Sequence, residues 1–542
     1  MAALHFGTPY SIASALRALP VERRRTPLNT RCRRAFHEYF VTHLPSSSLS
    51  PDRSPKLPRN ESQPHQGSHR SAAQIQHNAP RDTTIVRIPI RSAKHHFGAS
   101  VSRGDRPYNE DQHQAGTIEI PAFAKRQPAS VRRISPQDEG ARQAESESGD
   151  PQVFYFGVFD GHGGAECSEF LRDRLHGYVE EAAVLFGTES SLQKKAAGER
   201  SDFEGAVMGA QDAEELQKTL VSTWKETVGG YFRRFKPEHF PAVAAQASSG
   251  DERSTGNHSS IETVLSYAFL KADLDFTTAH AAKHSEPDSS GKAAPADDPV
   301  LSDRLASQNL HQGRPSSSPD LNAPIGGRTR FKGGSTASVA LISTPTPTPF
   351  WHPASPSTLL AAHVGDTRIL VCRVSDGKAV PLTTNHHPSA PVEARRLRRY
   401  AASFVTDSFG EERVLGLANT RAFGDIGSKR VGVSAEPQIS RLELSAAQYS
   451  FVVLTSDGVS GHLDDQEVVD IVKEAKTPAE ASQKLIEFAV ETGGDDADNA
   501  TALVVRLGGW ERRSEGGVGS MGTKEKRQFK IDEALDPRRG RR

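Results

Sequence analysis

Acidic residues recur in this chain where apolar runs end. Val153-Phe-Tyr-Phe-Gly-Val-Phe159 runs directly into Asp160-Gly-His-Gly-Gly164, and Ser450-Phe-Val-Val-Leu-Thr-Ser456 runs into Asp457-Gly458. Asp366 falls in a Gly-Asp turn between two apolar stretches, Asp498 stands just ahead of the last one, and Glu110 and Asp111 adjoin each other. Carboxylates that converge from separate strands repel one another unless cations lie between them. An oxygen-only donor set with no cysteine selects magnesium or manganese over zinc. Two such ions ~4 Å apart can hold a water and lower its pKa toward neutrality. The product is a hydroxide aimed at phosphorus. Asp160 also has a plainer reading as a turn cap, and the Glu110-Asp111 cluster as a solvated surface ion pair.

The positioning elements are legible too. Val153–Phe159 is apolar without alternation, the pattern of a strand buried on both faces. Asp160 is therefore delivered to the end of a rigid element, where the carbonyl of Gly161 offers a second hard oxygen. Arg106 precedes Glu110 by four residues, so on a strand the two would share a face. A guanidinium there suits phosphate oxygens. Helices are expected over Ala165–Leu185, Ala213–Phe235 and Ile261–Phe276, and a basic helix over Pro388–Tyr400. Gly333–Ser343 reads as a strand entered through a glycine pair, and Leu359–Arg373 as two strands around Gly365-Asp366, which together suggest antiparallel sheet. Thr477-Pro-Ala-Glu480 reads as a capping box with proline at the first helical position, opening a helix that stops at Gly493-Gly494.

The chain has 542 residues, of which only 35% are hydrophobic, so long stretches are expected to be disordered. The first 84 residues read as a disordered basic region. Arg17, Arg23, Arg24, Arg25, Arg31, Arg33 and Arg34 accompany few acids, a composition that fits a mitochondrial transit peptide and also a generic basic arm. The first reading places the protein in mitochondria, in the matrix; the second leaves it cytoplasmic. Residues 85–508 read as one domain carrying disordered insertions near 121–150, 187–209, 237–260 and 283–328, and 509–542 as a disordered basic tail. Net charge is zero, which gives no bias toward nucleic acid or a membrane surface. No apolar run is long enough to span a bilayer. Cys32, Cys167 and Cys372 form no CxxC pair, so a zinc site or disulfide framework is not expected.

Taken in order, Arg106…Glu110-Asp111, Phe159-Asp-Gly-His-Gly163, Gly334-Ser-Thr336, Val364-Gly-Asp-Thr-Arg368, Leu417…Thr-Arg-Ala-Phe-Gly-Asp425, Ser456-Asp-Gly458 and Asp498-Asn499 resemble the metal-dependent type 2C Ser/Thr protein phosphatases. The resemblance covers roughly residues 97–507. It implies an α+β fold: a central β-sandwich of two mainly antiparallel sheets, flanked by α-helices on both faces, with two Mg2+ or Mn2+ ions in a cleft at one end. Asp160 would bridge the ions. Asp457 and Asp498 would complete one coordination shell, Glu110 and the Gly161 carbonyl the other, and Asp111 would orient the water. Arg106 would bind the substrate phosphate and His162 would be the general acid. The implied substrates are phosphoserine and phosphothreonine in proteins, and the implied state is a monomer.

Three departures stand out. Asn385-His-His-Pro388 replaces the family's Asp-His-Lys-Pro. Val459-Ser-Gly461 lacks the acid that, with Asp366, would help hold a third ion, and Ala401-Ala-Ser403 replaces Ala-Gly-Gly in the flap beside the cleft. Two other functions stay open at this point: a pseudophosphatase that only binds phosphoproteins, and a phosphatase for small phosphate esters.

Overall fold

The computed structural model describes residues 39–45, 83–89, 95–126, 150–192, 210–245, 260–281, 283, 325, 330–398, 404–406, 412–494 and 497–536. Ten strands build two sheets. We number them β1 (Phe97–Ser102), β2 (Gln112–Ile118), β3 (Val153–Phe159), β4 (Ala337–Ser343), β5 (Ser357–Val364), β6 (Arg368–Arg373), β7 (Ala379–Pro381), β8 (Gln438–Leu444), β9 (Tyr449–Thr455) and β10 (Ala500–Arg506). The first sheet has the order β8-β5-β4-β3-β2 and the second β7-β6-β9-β10-β1; every pairing is antiparallel.

The period of two along each strand decides the layers. Phe154, Phe156 and Val158 of β3, with Ala340, Ile342, Leu359 and Ala361, face Ile369, Val371, Val452, Leu454, Leu503 and Val505 of the second sheet and form the filling between them. The alternate residues of β3, Val153, Tyr155 and Phe159, face the other way. They pack with Leu171, Leu175 and Val179 of α1 (Glu166–Leu185), Leu220 and Trp224 of α2 (Ala210–Thr227) and Leu265, Phe269 and Phe276 of α3 (Ile261–Ala281). On the far side, Leu370, Phe451, Val453 and Val504 pack against Val469 and Val472 of α5 (Asp465–Glu474) and Leu485 and Ala489 of α6 (Pro478–Gly493). The result is the expected helix–sheet–sheet–helix sandwich, and β3 is buried on both faces as its composition requires.

Several local expectations are corrected. The second helix stops at Thr227, and a separate 3-10 turn occupies Gly230–Arg234, because Gly229 and Gly230 adopt φ of 70° and 52°. The basic helix is shorter than expected, Pro391–Arg398 (α4). Thr477 caps α6 by accepting from the Glu480 amide at 3.1 Å, but Glu480 reaches back to the amide of Lys476, so the box is not reciprocal. The reciprocal box is at α5, between Asp464 and Glu467. Residues 122–124, assigned above to an insertion, are buried. Tyr39–Pro45, which lies in the stretch expected to be disordered, pairs antiparallel with Thr83–Pro89.

The tail is the largest correction. Residues 509–536 are ordered, and Thr523–Ala534 forms a helix, α7. Asp470 and Lys473 of α5 pair at 2.6 Å; Lys473 donates to the Gly516 carbonyl, and Ser520 and Thr523 donate to Asp470. Arg527 pairs with Glu474 and Lys530 with Glu467. A composition rich in charge and glycine looked solvated; its charges find complementary partners on one helix face. The segments 1–38, 46–82, 127–149, 193–209, 246–259, 284–324, 326–329 and 399–403 lie outside the described residues. They include the basic arm, most of each expected insertion and the flap departure. Among the described residues, no helix is long and apolar enough to cross a membrane.

Candidate active site

Antiparallel pairing gathers the acids at one end of the sandwich. Phe159, the last residue of β3, pairs with Gln112, the first of β2, which sets Asp160 beside Asp111. Val364 closes β5 opposite Ala337, the first residue of β4. The chain then passes into the other sheet, where Arg368 pairs with Thr455, the last residue of β9. The stretch around Gly365-Asp366 is thus a crossing between sheets, not a hairpin, and it suspends Asp366 over the sandwich end. Asp457 follows β9 with Ser456 between them, and Asp498 precedes β10 with Asn499 between them.

One carboxylate oxygen from each of Asp160, Asp366 and Asp457 lies within 4.8 Å of the other two. The Asp160 backbone is pinned, its carbonyl accepting from the Thr336 amide at 2.8 Å and the Ser335 hydroxyl at 3.0 Å. Its Oδ2 accepts from the Asp457 amide at 3.3 Å. Asn419 donates to Asp366 Oδ2 at 2.9 Å, while Oδ1 of Asp366 is buried without a hydrogen-bond partner. Asp111 is buried as well. Thr501 donates to its Oδ2 at 2.8 Å and its Oδ1 has no partner. Buried acceptors left unmatched are rare and costly.

Burial drives the protonation of this group upward. Loss of water raises Asp160 well above the ordinary carboxylate range, with the charges of Asp457, Asp111 and Asp366 adding to it. Burial and then Asp366 push Asp457 up to about 7. Burial pushes Asp111 up to about 6 against the hydrogen bonds from Ser456 and Thr501. Asp366 is raised by burial despite Asn419. Such a group is unfavourable by itself and suits a hard cation.

The other expected site residues stand around this trio. Glu110 Oε1 accepts from the Gly164 amide at 2.5 Å, and the Glu110 amide donates to Asn499 at 2.7 Å. A Cβ on Gly161 would lie 2.6 Å from the Glu110 carbonyl oxygen, so only glycine fits between them. Arg106 is not on a strand. Residues 103–111 are turn and loop, and Arg106 pairs with Asp498 at 2.8 Å. The structure therefore brings Asp160, Asp366, Asp457 and Asp111 together and places Glu110, Gly161, Arg106 and Asp498 at the margin.

His162 Nε2 lies 2.9 and 3.0 Å from the two oxygens of Asp425. Burial alone would lower the imidazole pKa, but the hydrogen bond and charge of Asp425, with Asp366 and Glu110, outweigh it and raise it. Asp425 and Asn419 escaped the sequence reading as site residues. Asp425 ended a motif already quoted, but no spacing relates it to His162. His386, in the departing Asn-His-His-Pro stretch, is buried. It stacks on His363 and accepts from the Gly365 amide at 3.0 Å, a support for the crossing that carries Asp366. His387 is half-buried, and its Nδ1 bonds the Ser389 hydroxyl at 2.8 Å.

The family model described as Protein phosphatase 2C matches residues 305–498. The chain is 31% identical over 441 residues to Protein phosphatase 2C homolog 4 of Schizosaccharomyces pombe, a match covering 81% of this chain and 87% of that protein. It is 37% identical over 186 residues to Protein phosphatase 1K, mitochondrial, of Xenopus laevis, covering 34% of this chain and 46% of that one. The crystal structure of serine-threonine phosphatase 2C from Toxoplasma gondii aligns with 76% of this chain and 94% of that chain at 16% identity and a TM-score of 0.40.

Proposed function

The chain belongs to the protein phosphatase 2C family and is a metal-dependent Ser/Thr protein phosphatase; from that premise we propose how its own residues carry the reaction. The observation that supports the proposal is the convergence of Asp160, Asp366 and Asp457 beside two buried, partnerless carboxylate oxygens. These residues fit two Mg2+ or Mn2+ ions, held by Asp160, Asp457, Asp498, Glu110 and the Gly161 carbonyl, with Asp111 orienting water; Asp366 adds a further oxygen beside Asp160 and Asp457. Bound there, such ions would acidify a coordinated water and offset the charge of a phosphate.

Arg106 binds the phosphate. Its side chain is 57% exposed and held among the described residues only by Asp498, so it can turn its fork toward phosphate oxygens. His162 is the general acid. With Nε2 anchored on Asp425, its Nδ1 carries the proton delivered to the departing serine or threonine oxygen, a role worth about 10²–10⁴ in rate. The substrates are phosphoproteins. With manganese present, a phosphothreonine peptide is expected to turn over much faster than a sugar phosphate, and chelation is expected to stop both. Faster turnover of the sugar phosphate would overturn the assignment of protein substrates.

Its relative in Xenopus laevis is named as mitochondrial. Together with the arginine-rich start of the chain, this supports import. A reporter fused to residues 1–50 is expected to enter mitochondria, and a diffuse cytosolic signal would end that reading.

A further inference from the structure

Among the described residues, one ion pair has no exposure on either side. Lys429 Nζ lies 2.5 Å from Asp273 Oδ2, and both side chains are 0% exposed. Asp273 comes from the middle of α3, and Lys429 from the short 3-10 turn Ile426–Val431. Neither is part of the carboxylate cluster. A buried pair of this kind contributes little net stability compared with well-packed apolar side chains, so its presence calls for another account.

Each remaining polar atom of the pair that is hydrogen-bonded points to one backbone segment. Lys429 Nζ also donates to the Ala422 carbonyl at 2.8 Å, and Asp273 Oδ1 accepts from the Gly424 amide at 2.9 Å. The next residue is Asp425, which holds His162. Asp425 has φ 43° and ψ 46°, a left-handed conformation uncommon for a side chain other than glycine. Its own amide donates to the Gly333 carbonyl at 2.9 Å. Opposite it, a Cβ on Gly334 would lie 2.4 Å from Asp425 Oδ2, and one on Gly333 would lie 2.0 Å from the His162 carbonyl. The carboxylate therefore rests on bare backbone below, and its strained main chain is tied from behind.

We propose that Asp273 and Lys429 are positioning residues for the reaction: by tethering Ala422 and Gly424 they fix the backbone at Asp425, and so hold the Asp425 carboxylate on Nε2 of His162. This rests on the reading of His162 as the general acid. A proton donor matters most when the departing oxygen is a poor leaving group, so mispositioning it penalises phenyl phosphate and spares p-nitrophenyl phosphate. A displacement of about 1 Å is enough to cost on the order of 10²-fold.

The test uses the full chain with manganese and three variants: Asp273→Asn, the apolar double variant D273L/K429M, and His162→Gln as reference. Thermal melting verifies folding. The double variant removes the pair without leaving one charge buried, so it serves if Asp273→Asn does not fold. In the folded variants of the pair, kcat for phenyl phosphate is expected to fall about 10–100-fold, kcat for p-nitrophenyl phosphate by less than about threefold, and KM to stay close to its starting value. His162→Gln should show the same selectivity. If His162→Gln slows both substrates alike, the assignment of the acid fails. If His162→Gln is selective while the variants of the pair slow both substrates equally, or neither, the pair is only a packing feature and the positioning inference fails alone.

Discussion

Replacing Asp160 by alanine is expected to lower manganese-dependent kcat/KM on p-nitrophenyl phosphate by at least about 10³-fold, the scale on which loss of a preorganised charge-stabilising group is felt. Asp160 has the largest role because of where it stands. β3 ends in it, Thr336 and Ser335 pin its carbonyl, and its carboxylate meets both Asp366 and Asp457. The same substitution removes one member of a group of mutually repelling buried carboxylates, so the metal-free variant should melt at a higher temperature than the metal-free parent. Activity lost and stability gained together separate a functional acid from a structural one. Hydrolysis by the variant at the parent's rate would reject the site.

In chelator, the melting temperature is expected to fall as pH rises from about 5 to about 8, and saturating magnesium or manganese should restore it most at the upper end. The sign follows from the direction of the shifts. Asp160 and Asp366 are raised by burial, Asp457 to about 7 and Asp111 to about 6, all above the ordinary aspartate value. The folded chain therefore holds protons that the unfolded chain has released. The stabilising contribution is complete below the unfolded pKa and is lost as pH passes through 6 to 7. A cation replaces those protons, and at about a hundred times its dissociation constant it adds about 2.7 kcal/mol. A chelated protein whose melting temperature ignores pH across this window, or a cation that stabilises equally at both ends, would contradict the convergence of the acids.

Much of this arrangement could be read from the chain itself, for identifiable reasons. β3 and β9 are apolar on both faces, so their ends, and hence Asp160 and Asp457, were visible as breaks in composition. Asp366 showed as a turn, but that the turn joins two different sheets did not, since strand partners are set by contacts distant in sequence. The same applies to Arg106. It stands four positions before Glu110, yet its partner is Asp498, 392 positions further along the chain. Asp425 and Asn419 reach the site only through tertiary packing. The C-terminal helix was hidden because its Arg527 and Lys530 are satisfied by Glu474 and Glu467, and a count of charges cannot distinguish docked from solvated ones. Gly229 and Gly230 were legible as glycines, and their power to end α2 was underrated.

Lys283 donates to the carbonyl of Ile325, and the amide of Phe331 donates to His280 at 3.1 Å. The chain that leaves α3 and the chain that enters β4 are thus fastened together at their roots. Such a clasp holds the two ends together whatever number of residues separates them, and doubling that number costs only about 0.6 kcal/mol of closure entropy. Relatives could lengthen, shorten or replace that excursion with a recruited module while the catalytic end of the sandwich stays unaltered. New partners can therefore be acquired at this neck without renegotiating the chemistry.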